Sequence, residues 1–505
     1  MRFLKVSLCA VLFGSTLTLH AQQPGWHLKD LRQDNIFGIS LNQAYQFLKG
    51  KKFKTLTVAI LDSGIDTLHA DLQSVLWINK KEHQSNLKDD DKNGYVDDKY
   101  GWGFIGGPST NVGKDNLELT RLIRRGDGLN NPSLLKIFNK AKQEAEENYN
   151  RISNLKLTID TIVRALGVPS PSWADIKKYE PKSIGQTQVK NLLIQQLKTT
   201  ELQDFLRDHI NGGLAYYKDQ LDYNYNLNFD PRGLIGDDYN NSYQRYYGNK
   251  DVMGVDAHHG THVAGIIGAN RENNLGLQGV ADHVKLMALR VVPDGDERDK
   301  DVANGIRYAV DNGAKVINMS FGKGYSSDKA AVDAAMRYAA SKDVLLVQAA
   351  GNSAENIDLV PNFPNRQLLD GHTLENWLVV GASGPNNDAN LAAGFSNYGK
   401  TCVDLYAPGV GIYSSVPGSK YKKYDGTSMA APVVAGIAAL IRSYYPKLSA
   451  QQVKEILIKS VTKVDHPVQL VRNGKKEVVD FSDLCLSGGI VNAAEAVRLA
   501  ESYRH

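Results

Sequence analysis

Cysteine is scarce in this sequence, with three in 505 residues, and that excludes a small scaffold stapled by disulfides. An excess of one charge is missing too. Lys and Arg number 59 against 55 Asp and Glu, for a formal net charge of +4, without the concentrated basic character of a phosphate-backbone binder. Nucleic acid is therefore not an expected partner. Near the N-terminus a long hydrophobic run is lacking as well: the apolar stretch Val6 to Leu19 falls short of the roughly 20 residues that a spanning helix needs. Led by Arg2 and Lys5 and closed by Leu19-His20-Ala21, it reads as a signal peptide over residues 1–21, cleaved near Ala21. Leu8, ahead of Cys9, replaces the small residue of a lipoprotein signal. The mature chain is expected to be secreted or periplasmic, with no membrane span left. Its remaining cysteines, Cys402 and Cys485, then face an oxidising compartment, where a disulfide and two separate buried thiols both remain open.

What is present is enough apolar material, 42% of the chain, for an α/β core and a sizeable additional element. Leu56–Leu61, Val284–Val291, Ala314–Met319 and Val344–Ala349 are short, continuous runs rich in branched apolar residues, the signature of strands buried on both faces. Trp377–Val380 is similar. Helical spacing over Asp301–Asn312 and Asp328–Lys342 alternates with them, which predicts a doubly wound, mostly parallel α/β sheet with helices on both faces. Working residues in such sheets follow the carboxyl ends of strands. Asp62, Ser320 and Asn352 each do so here.

This pattern covers residues 55–107 and 251–505, preceded by an N-terminal segment, 22–54, and broken by an insertion, 108–250. Asn131-Pro132 is a helix start, with Asn as cap and Pro in the first turn. Helical spacing then runs to Gly167, and again over Val189–Ile210 up to Gly212-Gly213. Eight tyrosines between Tyr216 and Tyr247 mark an aromatic return, either packing the insertion on the core or touching substrate.

Three separated segments carry an aspartate, a histidine and a serine suited to nucleophilic catalysis. In Ala59-Ile60-Leu61-Asp62-Ser63-Gly64 a carboxylate ends a buried strand, where it needs a hydrogen-bond partner such as an imidazole N–H; bonding to its own turn is the alternative. In His258-His259-Gly260-Thr261-His262-Val263-Ala264-Gly265 the histidines head a small-residue helix that can press into the core. Zinc at His258 and His262 is disfavoured, because no glutamate lies between them as in the zinc-peptidase pattern. In Gly426-Thr427-Ser428-Met429-Ala430-Ala431-Pro432 a serine sits at a helix start, whose free N–H groups favour developing negative charge.

Together these segments resemble the subtilisin-like serine peptidases, which share the chain order Asp, His, Ser. The resemblance implies a serine endopeptidase with Asp62, His259 and Ser428 as catalytic triad, and it makes His262 structural. Val347-Gln348-Ala349-Ala350-Gly351-Asn352-Ser353 is similar to the family's oxyanion-hole region and implies Asn352 as donor. Ser320, Phe321 and Gly322, with Ala349, Ala350 and Gly351, are implied to line the substrate; pairing along the peptide backbone implies broad cleavage of peptides and proteins. No organic cofactor is implied. The sequence departs from the family pattern at Ala70 in His69-Ala70-Asp71-Leu72, in the long separation of Asp62 from His259, and in the short stretch between Ala21 and Asp62. That stretch is too short for the propeptide many relatives carry. A catalytically dead binding module with the same fold would not require all four of Asp62, His259, Asn352 and Ser428.

Asp89-Asp90-Asp91-Lys92-Asn93-Gly94-Tyr95-Val96-Asp97 follows the first nine positions of a calcium loop, with oxygen donors at alternate positions and glycine at the sharp turn. Tyr100 stands where the closing glutamate belongs. The expected calcium ligands are Asp89, Asp91, Asn93, Tyr95 and Asp97, with another carboxylate closing the shell; a solvated acidic turn is the alternative.

Overall fold

A computed structural model of the chain describes residues 24–83, 86–472 and 475–503. The signal peptide expected over 1–21 lies outside them. The described chain divides into two compact units, Lys114–Asp230 and the remainder.

In the larger unit the strands, in chain order, are β1 (Leu56–Asp62), β2 (Gly101–Gly103), β3 (Val284–Arg290), β4 (Ala314–Met319), β5 (Leu345–Ala349), β6 (Trp377–Ser383) and β7 (Leu405–Pro408). After these come β8 (Ile412–Val416), β9 (Lys420–Tyr424), β10 (Thr462–Lys463), β11 (Pro467–Arg472), β12 (Lys475–Asp480) and β13 (Gly489–Ile490). Among the described residues nine strands form one sheet in the order β10-β13-β7-β6-β5-β4-β1-β3-β2, with every pairing parallel except β10 with β13. β8 with β9, and β11 with β12, form antiparallel hairpins.

The period of two in β1 shows why this sheet is covered on both faces. Val58 and Ile60 join one apolar core, while Ala59 and Leu61 join the other, and burying a side chain of the size of Val, Leu or Ile fully is worth about 1.5–3 kcal/mol. Helices that cover the sheet and its edges include α1 (Leu41–Leu48), α2 (His258–Gly268), α3 (Asp299–Asp311), α4 (Lys329–Ser341), α5 (Thr427–Tyr444) and α6 (Ala493–Ser502). α1, α2, α5 and α6 contribute to the first core; α3 and α4 contribute to the second. α5 is long and apolar enough to cross a membrane, yet it is a buried core helix. The N-terminal segment is part of this unit: the Trp26 indole donates to the Val410 carbonyl at 3.1 Å, and Ala493 N donates to Ile39 O at 2.8 Å.

Residues 231–250, expected within the insertion, belong to the larger unit. They lie along α3 through a buried ionic network. Arg232 pairs with Asp237 at 2.7 Å and Asp301 at 2.6 Å, Lys300 pairs with Asp237 at 2.5 Å, and the Tyr247 hydroxyl donates to Asp301 at 2.6 Å. Tyr239 stacks under the Arg232 guanidinium. For Tyr239 and Tyr247 the tyrosines therefore pack the return segment; Tyr243 and Tyr246 are exposed.

In the unit Lys114–Asp230, the helix Pro132–Leu166 starts at the expected cap, with the Asn131 side chain accepting from Ser133 N, and ends on left-handed Gly167. Its core gathers Ile159, Ile162, Ile176, Leu193, Leu202, Phe205 and Ile210. The helix expected over Val189–Ile210 is interrupted: Ile184–Gln196 ends before a new start at Leu202. Helical turns then continue through Gly212–Asp219. Gly212-Gly213 does not stop them: Gly212 keeps helical torsions, φ −60° and ψ −45°.

Candidate active site

β1 and β4 are neighbours whose onward connections leave to opposite sides of the sheet, and such a switch point opens a crevice at the carboxyl ends of the strands. Asp62 ends β1 there, 1% exposed. Its Oδ1 accepts from Ser63 N at 2.7 Å and pairs with His259 Nδ1 at 2.7 Å. The requirement for a partner, read from a carboxylate at the end of a buried strand, is met by both its own turn and the imidazole. His259 sits in the first turn of α2 with its side chain 40% exposed. Gly260 behind it is required sterically, since a Cβ would come within 2.2 Å of Gly64 O and 3.2 Å of Asp62 Cβ. Burial alone would lower the His259 pKa, but the Asp62 charge and hydrogen bond outweigh it and hold the imidazole above its ordinary value. His262 faces away, its Nε2 on Lys422 O at 3.1 Å and its ring stacked on Tyr424.

Ser428 is the second residue of α5, after the N-cap Gly426 and Thr427; it is half-buried, with its Oγ donating to Ser320 O at 2.9 Å. Thr427 links it to Asn352: the Thr427 N–H and hydroxyl both donate to Asn352 Oδ1 at 2.9 Å. The carboxamide oxygen is thus occupied, and the amide group is what Asn352 can offer to an oxyanion. Gly351 N donates to Thr427 Oγ1 at 3.0 Å, and at φ +103° a Cβ on Gly351 would meet Asn397 Nδ2 at 2.4 Å. Asn397 fixes this loop by donating to Ala350 O at 2.9 Å and accepting from Ser353 N and Glu355 N. Sequence reasoning missed Asn397, because nothing in its local pattern marks a contact reached from so far along the chain.

Ser320, Phe321 and Gly322 continue β4 past Met319. Gly322 is exposed, whereas the Phe321 side chain belongs to the second core, so only its main chain is available to a ligand. Ala349 and Ala350 are buried on the neighbouring β5 and its extension, and half-buried Gly351 follows them.

The acidic loop is rearranged relative to expectation. Carboxylate oxygens of Glu82, Asp89 and Asp91 lie within 4.8 Å of one another, a convergence of hard oxygen donors that suits calcium. Glu82 lies before the loop pattern and is the one carboxylate of the three that the pattern did not include. Asp97 is not part of the cluster: at φ 58° it turns to an ion pair with Lys250 at 2.7 Å. Asn93 Oδ1 accepts from Tyr95 N, and the Tyr95 ring packs against Trp102, leaving its carbonyl as the candidate donor. Cys402 and Cys485 are free thiols, the second buried.

A model of the subtilase family matches residues 54–476. This chain belongs to the subtilase family. It is 36% identical over 242 residues to alkaline elastase YaB of Bacillus sp. (strain YaB), covering 48% of this chain and 55% of that protein. With subtilisin BL of Lederbergia lenta it shares 40% identity over 206 residues, covering 40% and 70%. A solved structure of proteases from Pseudoalteromonas arctica, 21% identical, covers 94% of this chain and 96% of its own at a TM-score of 0.49. The chain spans about half the length of the alkaline elastase. As a subtilase it carries Lys114–Asp230 as a separate compact unit between its aspartate and histidine segments.

Proposed function

We propose that this subtilase is a secreted or periplasmic serine endopeptidase that cleaves peptides and proteins through an acyl-enzyme. The observation that carries the reading is the 2.7 Å bond between buried Asp62 and His259, at the strand edge where Ser428 lies in the first turn of a helix tied to Asn352 through Thr427. His259 Nε2 takes the Ser428 proton as Oγ attacks the peptide carbonyl, then delivers it to the leaving amine; water repeats the sequence to release the acid. Asp62 holds Nδ1–H and stabilises the imidazolium. Asn352 Nδ2 and the Ser428 N–H donate to the tetrahedral oxyanion, with one such donor worth about 3–4 kcal/mol in the transition state. The main chain of Ser320, Phe321 and Gly322, with that of Ala349, Ala350 and Gly351, receives an extended substrate backbone. Calcium would be held by Glu82, Asp89 and Asp91, with Asn93 and the Tyr95 carbonyl, and would supply structural stability.

Fluorophosphonate labelling tests the reading. Wild type should be modified at Ser428, and Ser428→Ala should fold, escape labelling and lose peptide turnover. Wild-type-like turnover by a protease-free preparation of Ser428→Ala would refute the assignment.

A further inference from the structure

The start of α5 has a missing hydrogen bond. In an α-helix the carbonyl of residue i accepts from the N–H of residue i+4, so Ser428 O should be served by residue 432. That residue is Pro432, inside the helix; proline has no N–H, and its ring crowds the carbonyl four residues back. A carbonyl left orphaned in the core is costly, and Ser320 supplies the missing donor: its hydroxyl donates to Ser428 O at 2.9 Å. The direction of that hydroxyl is set from behind, because Asn318 Nδ2 donates to Ser320 Oγ at 2.9 Å and leaves the hydroxyl proton for Ser428. Asn318 and Ser320 are both buried, so bulk water cannot substitute for either.

We infer that Ser320 is a positioning residue for the nucleophile, its side chain replacing the helix bond that Pro432 deletes, with Asn318 orienting the hydroxyl. This rests on the reading of Ser428 as nucleophile. Anchoring the Ser428 carbonyl fixes the backbone torsion on which the directions of Cα–Cβ and of the adjacent N–H depend. The resting Oγ donates to Ser320 O, so its hydroxyl must rotate its proton toward the imidazole before attack. During that rotation the Ser320 hydroxyl keeps the backbone still. Residue 320 therefore acts on residue 428 through two separate groups, its carbonyl parking the Oγ and its hydroxyl holding the main chain.

Four proteins test this: wild type, Ser320→Ala, Pro432→Ala and the double variant, each assayed for the rate of fluorophosphonate labelling and for kcat and KM on a short peptide. Ser320→Ala keeps the main chain of residues 320–322, so KM should stay within about twofold while kcat and the labelling rate fall about tenfold. In the double variant the Pro432→Ala change restores an N–H to the helix, and the labelling rate should return to within about threefold of Pro432→Ala alone. If Ser320→Ala does not fold, the double variant should, for the same reason. Wild-type labelling by Ser320→Ala, or equal losses with and without Pro432, would overturn the inference while leaving Ser428 as nucleophile. An unlabelled wild type would remove both.

Discussion

At the scale of single residues, His259 stands between two opposing influences: burial lowers its basicity, and the charge and hydrogen bond of Asp62 raise it further than burial lowers it. In the proposed mechanism His259 is the general base, and a base must be neutral to accept the Ser428 proton. Turnover should therefore fall as pH drops through a pKa displaced above the ordinary 6.5, by about tenfold for each pH unit below it. The same shift has the opposite sense for stability, since a group with a raised folded pKa contributes stability that is fully present below pH 6.5 and lost as pH rises through the folded pKa. Asp62→Asn removes the charge that raises the imidazole. It should move the acid limb of kcat/KM downward and cut kcat by about 10⁴-fold. A pH–rate profile of both proteins checks this, and an acid limb that stays in place in Asp62→Asn contradicts it.

At the scale of elements, the N-terminal segment carries His27, 1% exposed, with neither ring nitrogen partnered. Burial first, and the charge of His262 second, push its pKa down to about 3; burial also takes His262 down to about 4. Both stay neutral in the fold while the unfolded chain binds protons below pH 6.5. Stability is therefore lost as pH falls from 6.5 toward those values, by about 1.4 kcal/mol per pH unit for each histidine. His27→Leu should flatten the fall of Tm between pH 6.5 and 4.5, and a difference from wild type that stays constant across that range would sink the idea. The acidic loop gives a second test: calcium should raise Tm by mass action, and Glu82→Gln should blunt the rise, whereas an equal rise in both proteins would place the ion elsewhere. Legibility in the sequence also varied by element. β1, β3, β4 and β5 could be read because strands buried on both faces leave continuous apolar runs. β12 could not, since its residues are largely exposed and charged and it exists through pairing with β11. As candidates, Asp62, His259, Ser428 and Asn352 were legible because each sits in a motif at an element end. Glu82, Asn397 and the partnership of Ser320 with Pro432 depend on contacts between distant positions, which no local pattern carries.

At the scale of the molecule, each compact unit carries its own supports. The unit Lys114–Asp230 has its own apolar core, and its two ends are tied by bonds of its own: Leu117 N to Asn224 O at 3.2 Å, Thr120 Oγ1 to Asn224 O at 2.6 Å, and Arg124 with Asp230 at 2.9 Å. The network that seats residues 231–250 on α3 runs through Arg232, Asp237, Lys300, Asp301 and Tyr247, all in the other unit. Removing residues 114–230 and joining Gly113 to Pro231 with a short flexible linker therefore takes away none of those five side chains. It also leaves Asp62, His259, Asn352 and Ser428 in place. The shortened chain should unfold cooperatively and hydrolyse a short peptide with kcat within about threefold of the full chain, a difference under about 1 kcal/mol. The excised piece, residues 114–230, should be helical and melt cooperatively by circular dichroism, since a unit with its own core can fold alone. Measuring the shortened chain also on an unfolded protein containing the same scissile sequence shows whether the helical unit governs substrate choice. A changed ratio of the two rates assigns it that role; an unchanged ratio leaves it a separate module. Loss of cooperative unfolding in the shortened chain would show that the larger unit needs residues 114–230 to fold.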